Sequence, residues 1–320
     1  MSALVLGHKN PDTDSIVAAL AATNLYRGRG IDVKAAAQGT PAPETAFVLE
    51  RFQLTAPEVV TSVAGQELYL VDYSDLAQAP ADFKEAKLLG IIDHHKLGDV
   101  TSDSPVECYI QPVGCSNTII KTLHDYYGVK IDANLAGAML CAILSDTVLF
   151  KSPTCTEQDK KAAEDLAKIA GVTDLQALGM EMFKAKSNLA GATPRDLIFR
   201  DFKDFDMSGH KIGIGQLELV SLDLVTPELK AQLLDELVKV KAEGRHSALL
   251  VLTDIMEEGS ELLMCSDDVD KVAGALNAKL SVNMNYDGGP VAKLSVRTWL
   301  PGVMSRKKQV VPFLEQAFKA

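Results

Sequence analysis

Short apolar runs alternate with helix-period stretches through roughly the first 188 residues. The runs Ala3–Gly7, Glu67–Asp72 and Leu88–Asp93 read as strands. Each feeds a loop and then a helical pattern, such as the alanine-rich segment Ile16–Leu25. That alternation predicts an α/β fold with a mostly parallel sheet flanked by helices, whose ligands bind beyond the carboxyl ends of the strands. Further helices are predicted at Asp132–Leu144, from Thr156 to a stop at Gly171, and from Asp174 to about Asn188. Thr156 with Asp159 has the spacing of a capping box.

The stretch LAGATPRD, residues 189–196, has no periodicity and reads as a linker. Beyond it, two alternating segments, Leu197–Phe205 and Lys211–Leu219, joined at Ser208-Gly209, predict a hairpin. Thr226, Pro227 and Glu228 open a helix whose Leu229, Leu233, Leu237 and Val240 share a face before Gly244 stops it. Strands at Ala248–Thr253 and Glu261–Cys265, a helix near Val269–Leu280 and a strand near Ala292–Val296 complete the pattern. The expected organisation is a parallel-sheet domain over 1–188, a linker over 189–196 and a smaller mixed-sheet α/β domain over 197–320.

With 320 residues, 47% of them hydrophobic and 23% charged, the chain can build two cores. Its longest apolar stretch, around Ala136–Leu144, is about half of what a membrane span needs. No basic segment followed by an apolar one opens it, so a cytoplasmic protein with no membrane partner is expected. Cys108, Cys115, Cys141, Cys155 and Cys265 are odd in number and form no CxxC pair, which excludes a disulfide framework and a thiolate zinc site. A net charge of −11 argues against nucleic acid as a partner, and any anionic substrate must be met by local cations.

The first strand leads into LVLGHKNPDTDS, where His8, Asp12 and Asp14 fall within seven positions and Pro11 stiffens the loop. Taken alone, Asp14 is more readily a helix cap than a ligand. Asp72 ends the apolar run of ELYLVDYSD, and Asp93, His94 and His95 end LLGIIDHH. Asp146 lies in MLCAILSDTVLF, where an ionised carboxylate is costly unless paired or coordinated. Each has an ordinary structural explanation; together they suit a pair of divalent metals. Carboxylates and imidazoles without thiolates favour Mn2+ or Co2+, and admit Zn2+ or Fe2+, ahead of Ca2+. One carboxylate would bridge ions about 3.5–4 Å apart, and the pKa of a bound water would fall from about 15.7 towards 7, which suits attack on phosphorus. Near the other end, SRKKQVVP sets Arg306, Lys307 and Lys308 in a row. Such a run is ordinarily a solvated patch, yet Pro301, Gly302 and Ser305 place this one in a loop that could meet phosphate.

The GHKNPDTDS loop, the Asp72 strand end, DHH at 93–95, PVGCSNT, SDTVLFKSPTCT and SRKKQVVP occur in order from residue 4 to about 312. Together they resemble the family II, manganese-dependent inorganic pyrophosphatases of the DHH phosphoesterase superfamily. The resemblance implies an N-terminal DHH domain, a flexible linker and a C-terminal DHHA2-type domain, with the active site in the cleft between them and a homodimer formed through the N-terminal sheet. It implies two Mn2+ per subunit, or Co2+ in their place. His8 and Asp12 would bind one ion, Asp14, His94 and Asp146 the other, and Asp72 would bridge. Asp93 would support the metals, and His95 would contact substrate and assist protonation of the leaving phosphate. Lys184 of MFKAKSNL would reach the substrate, Arg306 and Lys307 would clamp phosphate, and Gln78 matches a polar position near it. The implied substrate is pyrophosphate entering with Mg2+.

Three places depart from the family pattern. Tyr73 and Ser74 follow the bridging aspartate where histidine and a polar residue are usual, Gln111 replaces glutamate, and Lys186 stands where glycine is common. GCSNT offers either helix N-terminal amides to a phosphate or a Ser116 cap. Two alternatives accompany pyrophosphate hydrolysis: a short-chain exopolyphosphatase of the same superfamily, and a catalytically silent metal-binding interaction protein. The complete ligand set argues against the latter. The short gap between Asp72 and Asp93 leaves no room for the nucleotide-sensing insertion of regulated members.

Overall fold

The run ALVL is buried at every position and forms β1 (Ala3–Leu6). It leads through the His8 loop into α1 (Thr13–Gly28), whose N-cap is Asp12, with Oδ1 accepting from the Ser15 N–H at 2.9 Å. In this computed structural model residues 2–189, 191–276 and 295–319 are described. They form two units, Met1–Lys186 and Ser187–Ala320. Among the described residues no helix is long and apolar enough to cross a membrane.

After α1 the first unit continues with β2 (Val33–Ala37), α2 (Pro43–Arg51), β3 (Glu58–Val59), β4 (Glu67–Val71), β5 (Lys87–Asp93) and β6 (Glu107–Ile110). Then come α3 (Ser116–Tyr127), α4 (Ala133–Asp146), α5 (Glu157–Ala170) and α6 (Leu175–Lys186). The strands form one parallel sheet in the order β3-β2-β1-β4-β5-β6. The chain leaves β1 towards one edge and returns on its other side at β4. The switch point therefore lies between β1 and β4, where a sheet of this kind opens a ligand crevice. The capping box at Thr156 is present, and Gly171 ends α5 in the left-handed region at φ 70°.

The second unit contains α7 (Pro194–Phe199), β7 (Phe202–Met207), β8 (His210–Leu219), α8 (Pro227–Ala242), β9 (Ser247–Asp254), β10 (Gly259–Ser266), α9 (Val269–Ala275), β11 (Ser295–Pro301), α10 (Arg306–Gln309) and α11 (Val311–Phe318). Its mixed sheet runs β11-β10-β9-β8-β7, parallel at β8–β9 and otherwise antiparallel. Alternate β9 residues face opposite cores. Ala248, Leu250 and Leu252 meet Leu233, Leu237 and Val240 of α8, while Leu249 and Val251 meet Val272 and Leu314. Burial on both faces explains the unbroken apolar run there.

Some elements differ in bounds from those the sequence predicts. Residues 197–199, assigned to a strand, belong to α7, because Thr193 and Asp196 form a capping box around Pro194 at the first helical position. The hairpin therefore starts at Phe202, with its turn at Ser208 (φ 55°) and Gly209 (φ 84°) as expected. The predicted Val269–Leu280 helix is α9 as far as Ala275, and the last strand runs over Ser295–Pro301. Residues 277–280 and 292–294 of those two expectations lie outside the described residues.

Candidate metal centre

Four chain ends converge beside the switch point. His8 follows β1, Asp72 follows β4, Asp93 ends β5 with His94 directly after it, and Asp146 is the last residue of α4. The turn after β1 needs Gly7, since a Cβ there would lie 2.1 Å from Ser15 Oγ and 2.7 Å from Ser15 O. Asp72 sits at φ 67°, a region that aspartate enters more easily than most residues; its own N–H bonds Ile92 O at 2.8 Å. Behind Asp146 the chain reverses through three left-handed residues, Val148, Leu149 and Phe150 (φ 49°, 51° and 65°), each at a cost of roughly 1–2 kcal/mol. Backbone cost of this kind concentrates where geometry matters to function.

Asp72 is the hub. Its Oδ2 lies 3.2 Å from His8 Nε2 and its Oδ1 lies 3.4 Å from His94 Nε2. Each imidazole is oriented through its other nitrogen: His8 Nδ1 is 2.6 Å from Lys9 O, and His94 Nδ1 is 3.0 Å from Val113 O. That arrangement aims both Nε2 atoms at the carboxylates. Asp12 Oδ2 joins on the His8 side at 3.5 Å; Asp14 Oδ2 and Asp146 Oδ2 join on the His94 side at 4.0 and 3.9 Å. His95 Nδ1 lies 2.9 Å from Asp93 Oδ1 and 3.6 Å from Asp72 Oδ1. Asp93 is fully buried, and its Oδ2 has no donor among the described residues.

Charge decides what the cluster can hold. Burial alone would raise the Asp72 pKa, but the hydrogen bonds from His8 and His94 hold it well below the usual carboxylate range. Burial and the Asp72 charge push Asp14 up to about 7. Burial and the neighbouring aspartates push Asp146 well up, with Lys186 pulling the other way. Asp146 also sits at the negative end of the α4 dipole. So many carboxylates ionise together only around cations. The Cys115 thiol, pushed well up by burial, donates to Asp14 Oδ1 at 3.0 Å. The donors are thus oxygens and imidazole nitrogens, a set that fits manganese and similar divalent ions.

The structure gives Asp14 a role that neither sequence alternative foresaw. Asp12 caps α1, whereas Asp14 accepts from the N–H groups of Ser116 (2.7 Å) and Asn117 (3.2 Å) and from Asn117 Nδ2 (2.6 Å). Those α3 amides are therefore not offered to a phosphate, and Ser116 is not a cap: its Oγ donates to Asp72 Oδ1 at 3.1 Å. Ser116, Asn117 and Cys115 belong to the site as supports of its carboxylates. Glu44 is a further member that sequence did not suggest. It is buried, accepts from Ser145 Oγ, and lies beside Lys186.

The other candidates are placed as follows. Lys184 is exposed on α6. Gln78 ends a 3-10 turn whose carbonyl accepts from the Lys9 N–H at 3.1 Å, next to the His8 loop. In the second unit Arg306 is buried; its Nη1 donates to Asp201 O (2.8 Å) and Ile214 O (2.9 Å), and its Nη2 to Asp201 Oδ1 (2.7 Å). Lys307 beside it is exposed. Tyr73 is buried in a core cluster with Leu6, Leu70 and Ile91, and its hydroxyl has no partner among the described residues.

Residues 2–143 match the DHH family, N-terminal domain, and residues 180–317 match the DHHA2 domain. An Archaeoglobus fulgidus protein named "Probable manganese-dependent inorganic pyrophosphatase" is 45% identical over 98% of this chain and 97% of its own length. The manganese-dependent inorganic pyrophosphatase of Methanothrix thermoacetophila is 42% identical over 98% of each chain. A solved structure described as "Crystal structure of Methanococcus jannaschii putative family II inorganic pyrophosphatase" superposes with a TM-score of 0.84 at 42% identity and covers 100% of both chains.

Proposed function

The chain belongs to the manganese-dependent inorganic pyrophosphatases built from DHH and DHHA2 domains, and we propose that it hydrolyses pyrophosphate to two orthophosphates at the cluster around Asp72. The observation that carries this reading is the placement of one carboxylate between two imidazoles, with further aspartates on either side. His8 and Asp12 would hold one Mn2+, Asp14, His94 and Asp146 would hold a second, and Asp72 stands within reach of both groups. Bound divalent ions supply charge neutralisation for phosphate oxygens and acidify water.

The chain's own residues do the rest. Asp93 fixes the His95 ring through Nδ1, and His95 donates the proton to the leaving phosphate. Lys184, Lys307 and Gln78 bind phosphate oxygens, with Mg2+ accompanying the substrate. Arg306 joins them by exchanging the half-exposed Asp201 carboxylate for phosphate, with its fork held in place by two backbone carbonyls. The same reading makes the protein a cytoplasmic homodimer.

Phosphate release tests this. Metal-stripped protein reloaded with Mn2+ is given pyrophosphate, tripolyphosphate and a dinucleotide in parallel, with Mg2+ present. Rapid turnover of pyrophosphate alone is expected. Preference for tripolyphosphate would make the protein an exopolyphosphatase, and silence on all three with metal bound would leave a non-catalytic metal protein.

A further inference from the structure

Glu44 lies in the first turn of α2, a helix that carries none of the ligands assigned above. It is only 5% exposed, yet three polar groups reach it. Ser145 Oγ donates to Oε1 at 2.9 Å, Thr13 Oγ1 donates to Oε2 at 3.1 Å, and Lys186 Nζ lies 3.6 Å from Oε2. The sequence positions of these partners are informative. Thr13 stands between Asp12 and Asp14, Ser145 directly precedes Asp146, and Lys186 ends the helix that bears Lys184. Thr13 is held a second time from α2, with its Oγ1 3.0 Å from Thr45 Oγ1.

A buried carboxylate and its ammonium partner lose hydration on folding, and for stability alone a packed apolar pair would serve as well. What the polar set supplies is direction. Each hydrogen bond fixes a backbone segment whose neighbouring residue is a ligand, and such supports of ligating groups typically govern metal affinity about 10- to 100-fold.

We infer that Glu44 is a positioning residue of the metal centre and Lys186 its counter-ion, together fixing the Asp12–Asp14 segment, the end of α4 and the end of α6 relative to one another. The inference rests on the metal assignment of the preceding subsection. It also gives a role to Lys186, one of the departures from the family pattern. A glycine there would leave the α6 end without this tie.

The test is Mn2+ affinity of the metal-stripped, full-length chain, followed by the electron paramagnetic resonance of the ion, beside kcat and KM for pyrophosphate. Glu44→Gln keeps the side chain's shape and removes its charge. It is expected to weaken Mn2+ binding about 10- to 100-fold and to alter the spectrum of the bound ions, with far-ultraviolet circular dichroism unchanged. Lys186→Gly is expected to raise KM about tenfold with a smaller loss in kcat, and Lys186→Arg to restore it. Should Glu44→Gln not fold, Ser145→Ala removes one hydroxyl and is expected to weaken Mn2+ several-fold. Wild-type affinity and spectrum in a folded Glu44→Gln or Ser145→Ala protein would overturn the inference, as would unchanged kinetics in Lys186→Gly. The affinity is read without substrate. A wild-type chain that binds Mn2+ but leaves pyrophosphate intact therefore overturns the reaction, while the affinity comparison still decides the role of Glu44. A wild-type chain that binds no Mn2+ overturns both.

Discussion

Asp72 is approached by an imidazole on each oxygen, so its loss disturbs both halves of the cluster at once. Asp72→Ala is expected to abolish occupancy by two metals; elemental analysis that still finds two ions per chain would remove Asp72 from the bridge. Arg306 carries a double expectation. Its buried fork satisfies two carbonyls, so Arg306→Ala should raise KM more than it disturbs metal binding and also destabilise the second unit by about 2 kcal/mol, read by urea unfolding. His124 supplies a pH dependence away from the centre. Burial lowers its pKa, and its nitrogens lie 2.9 Å from Ile120 O and 3.0 Å from Asn24 Oδ1. The folded chain stays neutral there while the unfolded chain takes up a proton below about 6.5. Stability contributed at neutral pH is therefore lost as pH falls from about 7 to the lowered value. Comparing unfolding of wild type and His124→Gln at pH 7.5 and 5.5 checks this, with the shallower pH slope expected in the variant. The metal-ligand candidates are legible only together: a single charged residue at the end of an apolar run has an ordinary explanation, but its recurrence at run after run does not. Glu44 is not legible, since an acid in a helix's first turn already has such an explanation, the dipole.

At the scale of elements, α4 is buried from Leu135 to Ser145, and Gly137 shows how closely it packs. A Cβ at that position would lie 2.0 Å from Cε1 of Phe52, at the end of α2. Gly→Ala inside a helix normally gains up to about 1 kcal/mol. Here Gly137→Ala is expected to lose about 1–3 kcal/mol by overpacking, and because α4 ends in Asp146, Mn2+ binding should weaken with it. Thermal melting and metal titration of the variant check both. The strands that position the site were readable because each is an apolar run ending in a polar residue. Short β2, β3 and β6 lack that contrast: VKAAA mixes exposed and buried positions without clean alternation, and ECYI has no fully buried position at all. The start of α7 was passed over although Thr193-Pro194-Arg195-Asp196 carries the same cap-and-proline signature as Thr226-Pro227. A six-residue helix is too short to show a periodicity, so the small Gly- and Pro-bearing stretch before it reads as a linker.

For the whole molecule, the division at Lys186 puts every assigned metal ligand in the first unit and the single tryptophan, Trp299, in the second. Ions bound at 1,000 times their dissociation constant stabilise a folded unit by about 4 kcal/mol. Chelation should therefore lower the melting transition of the first unit, seen by calorimetry, while the transition seen by Trp299 fluorescence stays in place. Equal shifts in both would mean that the units unfold as one. Two-unit organisation was legible from the change in pattern after residue 188, because parallel-sheet and hairpin-rich segments differ in period. If His8 to Asp146 are the ligands proposed above, their spread along the chain also sets an order of events during biosynthesis. Domains fold as units as they emerge from the ribosome, and no nascent fragment ending before α4 holds a complete cage. On the proposed assignment, manganese would be acquired only once α4 has been made, so a shortage of the ion would stall maturation of the first unit rather than its translation.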